Sequence, residues 1–131
     1  MAYNHTFEID CSLPVKIGNF KNKFPPSLNH RLHWAQRSKL NKLWRHRVYC
    51  EVGKDRPPKP LDKCHAIITR YSTRELDFDN MITSNKPIVD GLVDAKVMKD
   101  DSVKHFSCDY RFMKCKRGDE CLVIQLIEQQ N

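Results

Sequence analysis

The sequence predicts an α+β domain: a mixed sheet packed against two helices, with elements in the order β-α-β-α-β-β. Three observations carry this expectation. Stretches of alternating apolar and polar residues occur toward both ends of the chain. Two stretches with apolar residues at helical spacing lie among them. Proline-rich breaks and turn residues separate the segments. At 131 residues the chain is expected to form a single domain over 1–131 with a modest core.

The elements follow in order. Phe7, Ile9, Cys11 and Leu13 alternate with polar residues, which reads as a strand ending at Pro14. A loop with Pro25 and Pro26 comes next. From about Asn29 to Val52 the chain reads as a helix, with Leu40, Leu43, Trp44, Val48 and Val52 on one face. Pro57, Pro58 and Pro60 break the chain before a second strand from about Cys64 to Arg74, extended toward Asp79. A second helix is expected from about Pro87 to Lys96, with Asn85 as its cap and proline tolerated in its first turn. Two final strands, about Lys104–Lys114 and Glu120–Glu128, flank Lys116-Arg117-Gly118-Asp119, which is a hairpin signal. The chain has no internal repeat and no low-complexity segment.

Charge is unevenly distributed. The net charge is +7, and the segment from Lys16 to Lys59 holds twelve lysines and arginines against two acids, Glu51 and Asp55. Such a basic segment suits a phosphate backbone, or else a solvated helix face. No apolar run is long enough to span a bilayer, and the start of the chain lacks the regions of a signal peptide, so a cytoplasmic location is expected. The six cysteines are irregularly spaced and should be free thiols. His105, Cys108, Cys115 and Cys121 lack the paired spacings of a structural zinc site.

Against this basic background the segment Leu76–Val103 concentrates acids: Asp77, Asp79, Asp90 and the pair Asp100-Asp101, with Asn80 and Lys86 among them. Clustered like charges cost stability, so a divalent metal acting on a polyanion is the simplest functional reason for them. If Asp77 and Asp79 end a strand, both point to one side with Cα atoms roughly 7 Å apart, while Leu76 and Phe78 point into the core. Asp101 or Asp100 would complete the site from the loop after the second helix. A calcium loop counted from Asp77 fails, because its glycine position is Ile82 and its twelfth position is Ile88. A polar strand end and an ordinary turn are the competing reading, since Lys-Asp-Asp-Ser is common turn composition. A nucleotide-sugar transferase also uses Asp-x-Asp, but this chain is short for its usual two-part site.

Asp77-x-Asp79-Asn80, then Lys86, Asp90, Leu92 and Asp100-Asp101-x-Val103 preceded by Val97, together with Leu28-Asn29-His30-Arg31-Leu32-His33-Trp34 near the N-terminus, resembles the RusA family of Holliday junction resolvases, in particular its phage and prophage-type members. The motif covers about 28 residues. Three extra residues separate Asn80 from Lys86 relative to the best-known form, so Lys86 is expected at a loop or helix start. Lys96 stands where a helix-ending glycine is usual, so the turn into Val97 is expected to differ.

The resemblance implies a magnesium-dependent endodeoxyribonuclease, with manganese as the alternative ion, that cuts branched DNA at four-way junctions. Asp77, Asp79 and Asp101 would hold metal, Asp100 would support them, and Lys86 would neutralise charge developing on the phosphate. Asp90 is expected to be a structural partner, and Asn80 a cap of the following turn. Arg31, Arg37, Lys39, Lys42, Arg45 and Arg47 would contact the DNA backbone, Trp34 could stack on bases, and Trp44 belongs in the core. A homodimer would supply two related active sites, and the cytoplasm of a bacterial host would be the setting. Two rivals stay open: a basic DNA-binding module whose acids are structural, and a metal nuclease acting on flaps or forks.

Overall fold

A computed structural model describes residues 2–27, 30–53 and 55–129. The expected α+β architecture is present. Strand β1 (Asn4–Asp10) is followed by a small hairpin, β2 (Val15–Ile17) and β3 (Phe20–Asn22), and by helix α1 (Trp34–Val52). Strand β4 (Cys64–Ser72), the short helix α2 (Phe78–Ser84), helix α3 (Lys86–Asp94), and strands β5 (Phe106–Lys114) and β6 (Cys121–Glu128) complete the chain. The main sheet has the order β1-β6-β4-β5, parallel between β4 and β5 and antiparallel elsewhere. A parallel pair needs a long crossover, and α2 with α3 provides it.

Alternation places the core. Phe7 and Ile9 of β1, Ala66 and Ile68 of β4, and Leu122, Ile124 and Leu126 of β6 are buried on the sheet face that carries the helices. Phe7 and Ile68 are both register partners of Ile124, so these three side chains form one row across the sheet. On α1 the buried residues are Leu40, Trp44, Val48 and Val52, a row at i, i+4 spacing. This row meets α3 at Gly91, where an added Cβ would lie 2.7 Å from Val48 Cβ and 3.0 Å from Arg45 O. The helices cross this closely because glycine has no side chain there. Among the described residues, no helix is long and apolar enough to cross a membrane.

Several expectations need correction. β1 ends at Asp10, where the Asp10 carboxylate accepts a hydrogen bond from Ser12 N at 2.8 Å and turns the chain, so Leu13 is 80% exposed. Leu43 also lies at the surface, because it sits one residue, about 100° of helix, away from the buried ridge of Trp44. Helix α1 begins at Trp34, capped by His33, whose Nδ1 accepts from Ala35 N at 3.2 Å. The earlier start at Asn29 falls on a residue outside the described ones, as does Leu28.

The hairpin expected across Lys116–Asp119 does not form. The turn exists, with Gly118 at φ +99°, but β5 and β6 lie on opposite sides of β4. The cause is long-range packing. Strand β6 is apolar at nearly every position from Leu122 to Ile127, so it is most stable between two neighbours, whereas β5 alternates half-buried and exposed residues and suits an edge.

The turn after α3 keeps the form that glycine usually takes. Lys96 has φ +63°, its N–H donates to Val93 O at 3.0 Å, and Val97 N donates to Leu92 O at 3.1 Å. This is a Schellman ending with lysine in the left-handed position. Lys96→Gly is therefore expected to stabilise the fold by about 1 kcal/mol, read as a higher urea midpoint at unchanged slope. An unchanged or lower midpoint would refute the strain argument.

Candidate active site

The acidic segment is built differently from a strand end. After Ser72 the chain leaves the sheet, with Ser72 Oγ donating to Arg74 O at 2.6 Å, and Asp77 becomes the N-cap of α2. Asp79 lies in the first turn of that helix. Phe78 is 59% exposed and meets Tyr110 of β5 edge-on at 6.4 Å, and Leu76 is half-buried, so neither enters the core. A strand extension would have paired these residues with a neighbour. Instead, acids at a helix start are favoured by the exposed N–H groups and the helix dipole.

Asp77 makes no side-chain capping bond, and both Asp77 and Asp79 are exposed, without a side-chain partner among the described residues. Asn80 lies within α2 and is not its cap, because Asp77 takes that position. Asn85 occupies the junction between α2 and α3 but caps neither with its carboxamide oxygen. It is 2% exposed, its Nδ2 donates back to Met81 O at 2.9 Å, and its Oδ1 has no partner among the described residues.

Lys86 is the first residue of α3, the helix-start position expected from its spacing. Its ammonium donates to Asp101 and lies 3.0 Å from Asp90 Oδ1, one turn further along α3. Asp90 is thus a structural partner of Lys86. The two carboxylates hold the lysine pKa above its ordinary value of 10.5, Asp101 contributing most. A raised folded-state pKa means that the pairing contributes stability in full below the unfolded lysine value and loses it as pH rises through the folded one. Relative to Lys86→Met, the wild-type melting temperature should therefore lose its advantage above about pH 10.4. A constant difference between the two proteins from about pH 9 to pH 12 would refute the linkage. The effect is expected to be small, because Lys86 and Asp101 are both solvent-exposed.

Asp100 and Asp101 reach this region because the loop after α3 is anchored. Leu61 N donates to Val97 O at 2.7 Å, and Leu61 and Met98 form a bridge. Asp100 Oδ1 accepts from Ser102 N at 2.8 Å, and hydrogen bonding from the Ser102 side chain and backbone holds its carboxyl below the usual range. His105, which the sequence offered no reason to select, stands beside it. Its Nδ1 is 2.7 Å from the Asp62 carbonyl, an acceptor only, so Nδ1 carries the proton, and its Nε2 lies 3.9 Å from Asp100 Oδ2.

The acids therefore form two groups: Asp77 and Asp79, without side-chain partners among the described residues, and Asp100 and Asp101, engaged by Ser102 and Lys86. Among the described residues, no three histidine, cysteine or carboxylate side chains stand close enough to hold an ion. The donor chemistry still suits magnesium, because Asp77, Asp79 and Asp101 offer hard oxygens at an accessible surface.

The six basic candidates also divide. Arg45 is bidentate to Asp94 at 2.7 and 2.8 Å, Arg37 Nη2 donates to His30 O at 2.7 Å, and Arg47 Nη2 donates to Asp10 O at 2.6 Å and stacks over Trp44. These three stabilise the fold. Arg31, Lys39 and Lys42 are exposed and have no paired partner among the described residues, and Trp34 at the start of α1 is 77% exposed. Trp44 is fully buried, as expected.

A scan against protein-family models gives no match, and no curated protein matches the chain.

Proposed function

We propose that this chain is a structure-selective, metal-dependent endodeoxyribonuclease that resolves four-way DNA junctions in the cytoplasm, acting as a homodimer. The observation that carries the reading is the exposed, unpartnered pair Asp77 and Asp79 at the start of α2, with Lys86 and Asp101 joined at the start of the next helix. In a protein of net charge +7, Asp77 and Asp79 form no ion pair among the described residues, which favours a cation as their partner. The spaced motif resembling the RusA family supports the same reading.

Asp77, Asp79 and Asp101 would hold magnesium or manganese, with Asp100 supporting the loop. When bound, the ion supplies Lewis-acid activation of the phosphodiester and of water. For Asp101 to contribute, Lys86 must release it. The freed ammonium is then available to the phosphate, so one side chain balances the site's charge before and after substrate arrives. Arg31, Lys39 and Lys42 would position the backbone, and Trp34 would stack on an unpaired base. Paired cuts in a symmetric junction need two active sites related by a two-fold axis, which a dimer supplies.

The second reading, a DNA-binding module without catalysis, is favoured by the engagement of Asp101 with Lys86 and by the lack of a preassembled three-donor cluster among the described residues. One experiment separates the two. A labelled four-way junction, a flap, a fork and linear duplex are incubated with the protein in magnesium and in manganese. Paired cuts confined to the junction support the resolvase. Cuts in flaps or forks keep the chemistry and change the substrate. Binding without cleavage under every condition overturns the nuclease reading.

A further inference from the structure

Strand β4 is central, and its C-terminal end opens into a cleft that the acidic segment does not use. The cleft, of about 560 Å³, is walled by Lys21 and Lys23 of the β2–β3 hairpin, Arg70 of β4, Arg74 just beyond it, and Arg117. The topology makes this convergence. Because β5 and β6 straddle β4, the link between them must cross the end of β4, and that link carries Arg117. One carboxylate, Glu120, also lines the cleft, and it is already committed: Lys23 Nζ lies 2.6 Å from its Oε2, and Gly118 N donates to its Oε1 at 2.7 Å. Lys21, Arg70, Arg74 and Arg117 have no salt-bridge partner among the described residues.

Arg70 is the informative member. It continues the row of Ala66 and Ile68 that faces the core, where an apolar residue would be expected. Its guanidinium stacks on the ring of the buried Phe24 at 3.8 Å from the centroid, and its one hydrogen bond among the described residues is a long one, 3.5 Å from Nε to Ser72 Oγ. Burial draws its pKa down to about 10, so it is charged at neutral pH and incompletely solvated. Burying a charge without an anion costs free energy, and an oxyanion offered to the guanidinium fork would recover it.

We propose that this cleft is a phosphate subsite, in which Arg70, braced by Phe24, together with Lys21, Arg74 and Arg117, holds a backbone phosphate of a nucleic-acid strand. The inference rests on the nucleic-acid reading above but not on cleavage. A strand fits better than a small anion for two reasons. The cations are spread over separate chain segments along an open cleft. Arg74 also lies three residues before Asp77, so the cleft and the acidic pair are joined by one short stretch of chain.

The test is fluorescence anisotropy with a labelled single-stranded and a labelled duplex oligonucleotide in EDTA, where no cleavage occurs. Arg70→Met is compared with a double variant, Lys21→Ala with Arg117→Ala, whose positions are exposed and outside the core. Arg70→Met should weaken binding about tenfold, the worth of one charge-assisted hydrogen bond. The slope of log affinity against log salt should fall by about one for each phosphate contact removed. Wild-type affinity and slope in both variants, at unchanged melting temperature, would overturn the subsite. If DNA binding is unchanged but inorganic phosphate raises the wild-type melting temperature and not that of the variants, the ligand is a free phosphate and the strand assignment is overturned. A protein that cuts no DNA, yet whose DNA binding depends on Arg70, would keep the subsite and remove the nuclease.

Discussion

Asp79→Asn is expected to lower junction cleavage by a factor on the order of 10²–10³ or more while leaving the fold intact. The substitution is nearly isosteric and removes one negative charge. Asp79 is exposed and has no side-chain partner among the described residues, so its loss breaks no contact of the folded protein. The structural cost is limited to a favourable interaction with the α2 N-terminus, about 0.3–1 kcal/mol. Loss of cleavage at unchanged stability would therefore report the chemistry alone. A second readout does not depend on turnover. Magnesium binding to the native state should raise the wild-type melting temperature, as any ligand of the folded form does, and Asp79→Asn should reduce that gain. An Asp79→Asn protein that cuts junctions at the wild-type rate would sink the assignment.

Asp101→Asn makes an informative contrast. It removes both a proposed donor and the main partner of Lys86. If the two states of Lys86 matter, releasing the lysine and losing the donor act in opposite directions on phosphate affinity. Binding in EDTA should then hold or strengthen as cleavage falls.

Much of the sheet was legible in the sequence because burial on one face writes period two into a strand. Phe7 and Ile9 in β1 and the row of Leu40, Trp44, Val48 and Val52 in α1 are both recoverable from spacing. The pairing of β5 and β6 was not, because a turn signal is local and strand neighbours are chosen by the whole core. A usable sign was present in the unbroken apolar run of β6, which marks an interior strand.

At the site, the acids were legible as a group but their backbone was not. Leu76, Asp77, Phe78 and Asp79 alternate as a strand would, yet Asp77 and Asp79 also satisfy the helix-start preference for acids, and that preference prevailed. The contact between Lys86 and Asp101 spans fifteen residues and depends on the loop anchored by Leu61 and Met98, which no local pattern encodes. The cationic cleft was hidden for a related reason. Its members lie on separate segments and converge at the end of β4 through the strand order.

The largest expected loss of stability lies away from these charges. Trp44→Ala should cost about 3–5 kcal/mol, because the indole is fully buried and its removal leaves a cavity that packed helices cannot close. The rest of the row limits relaxation: Val48, the next residue in it, is already held against Gly91 where α1 and α3 cross. Arg47 would also lose the ring face it covers at 4.7 Å. Trp44→Phe should cost much less than the alanine change. The indole Nε1 is buried with no hydrogen-bond partner among the described residues, so phenylalanine sacrifices volume but no polar contact, and it relieves an unsatisfied donor. Domains of this kind are stable by only about 5–15 kcal/mol, so the alanine protein should melt far below wild type and show a much lower urea midpoint. Equal losses for Trp44→Phe and Trp44→Ala would mean that Nε1 has a partner in solution, such as a bound water, and that the site is held by polarity as well as by packing.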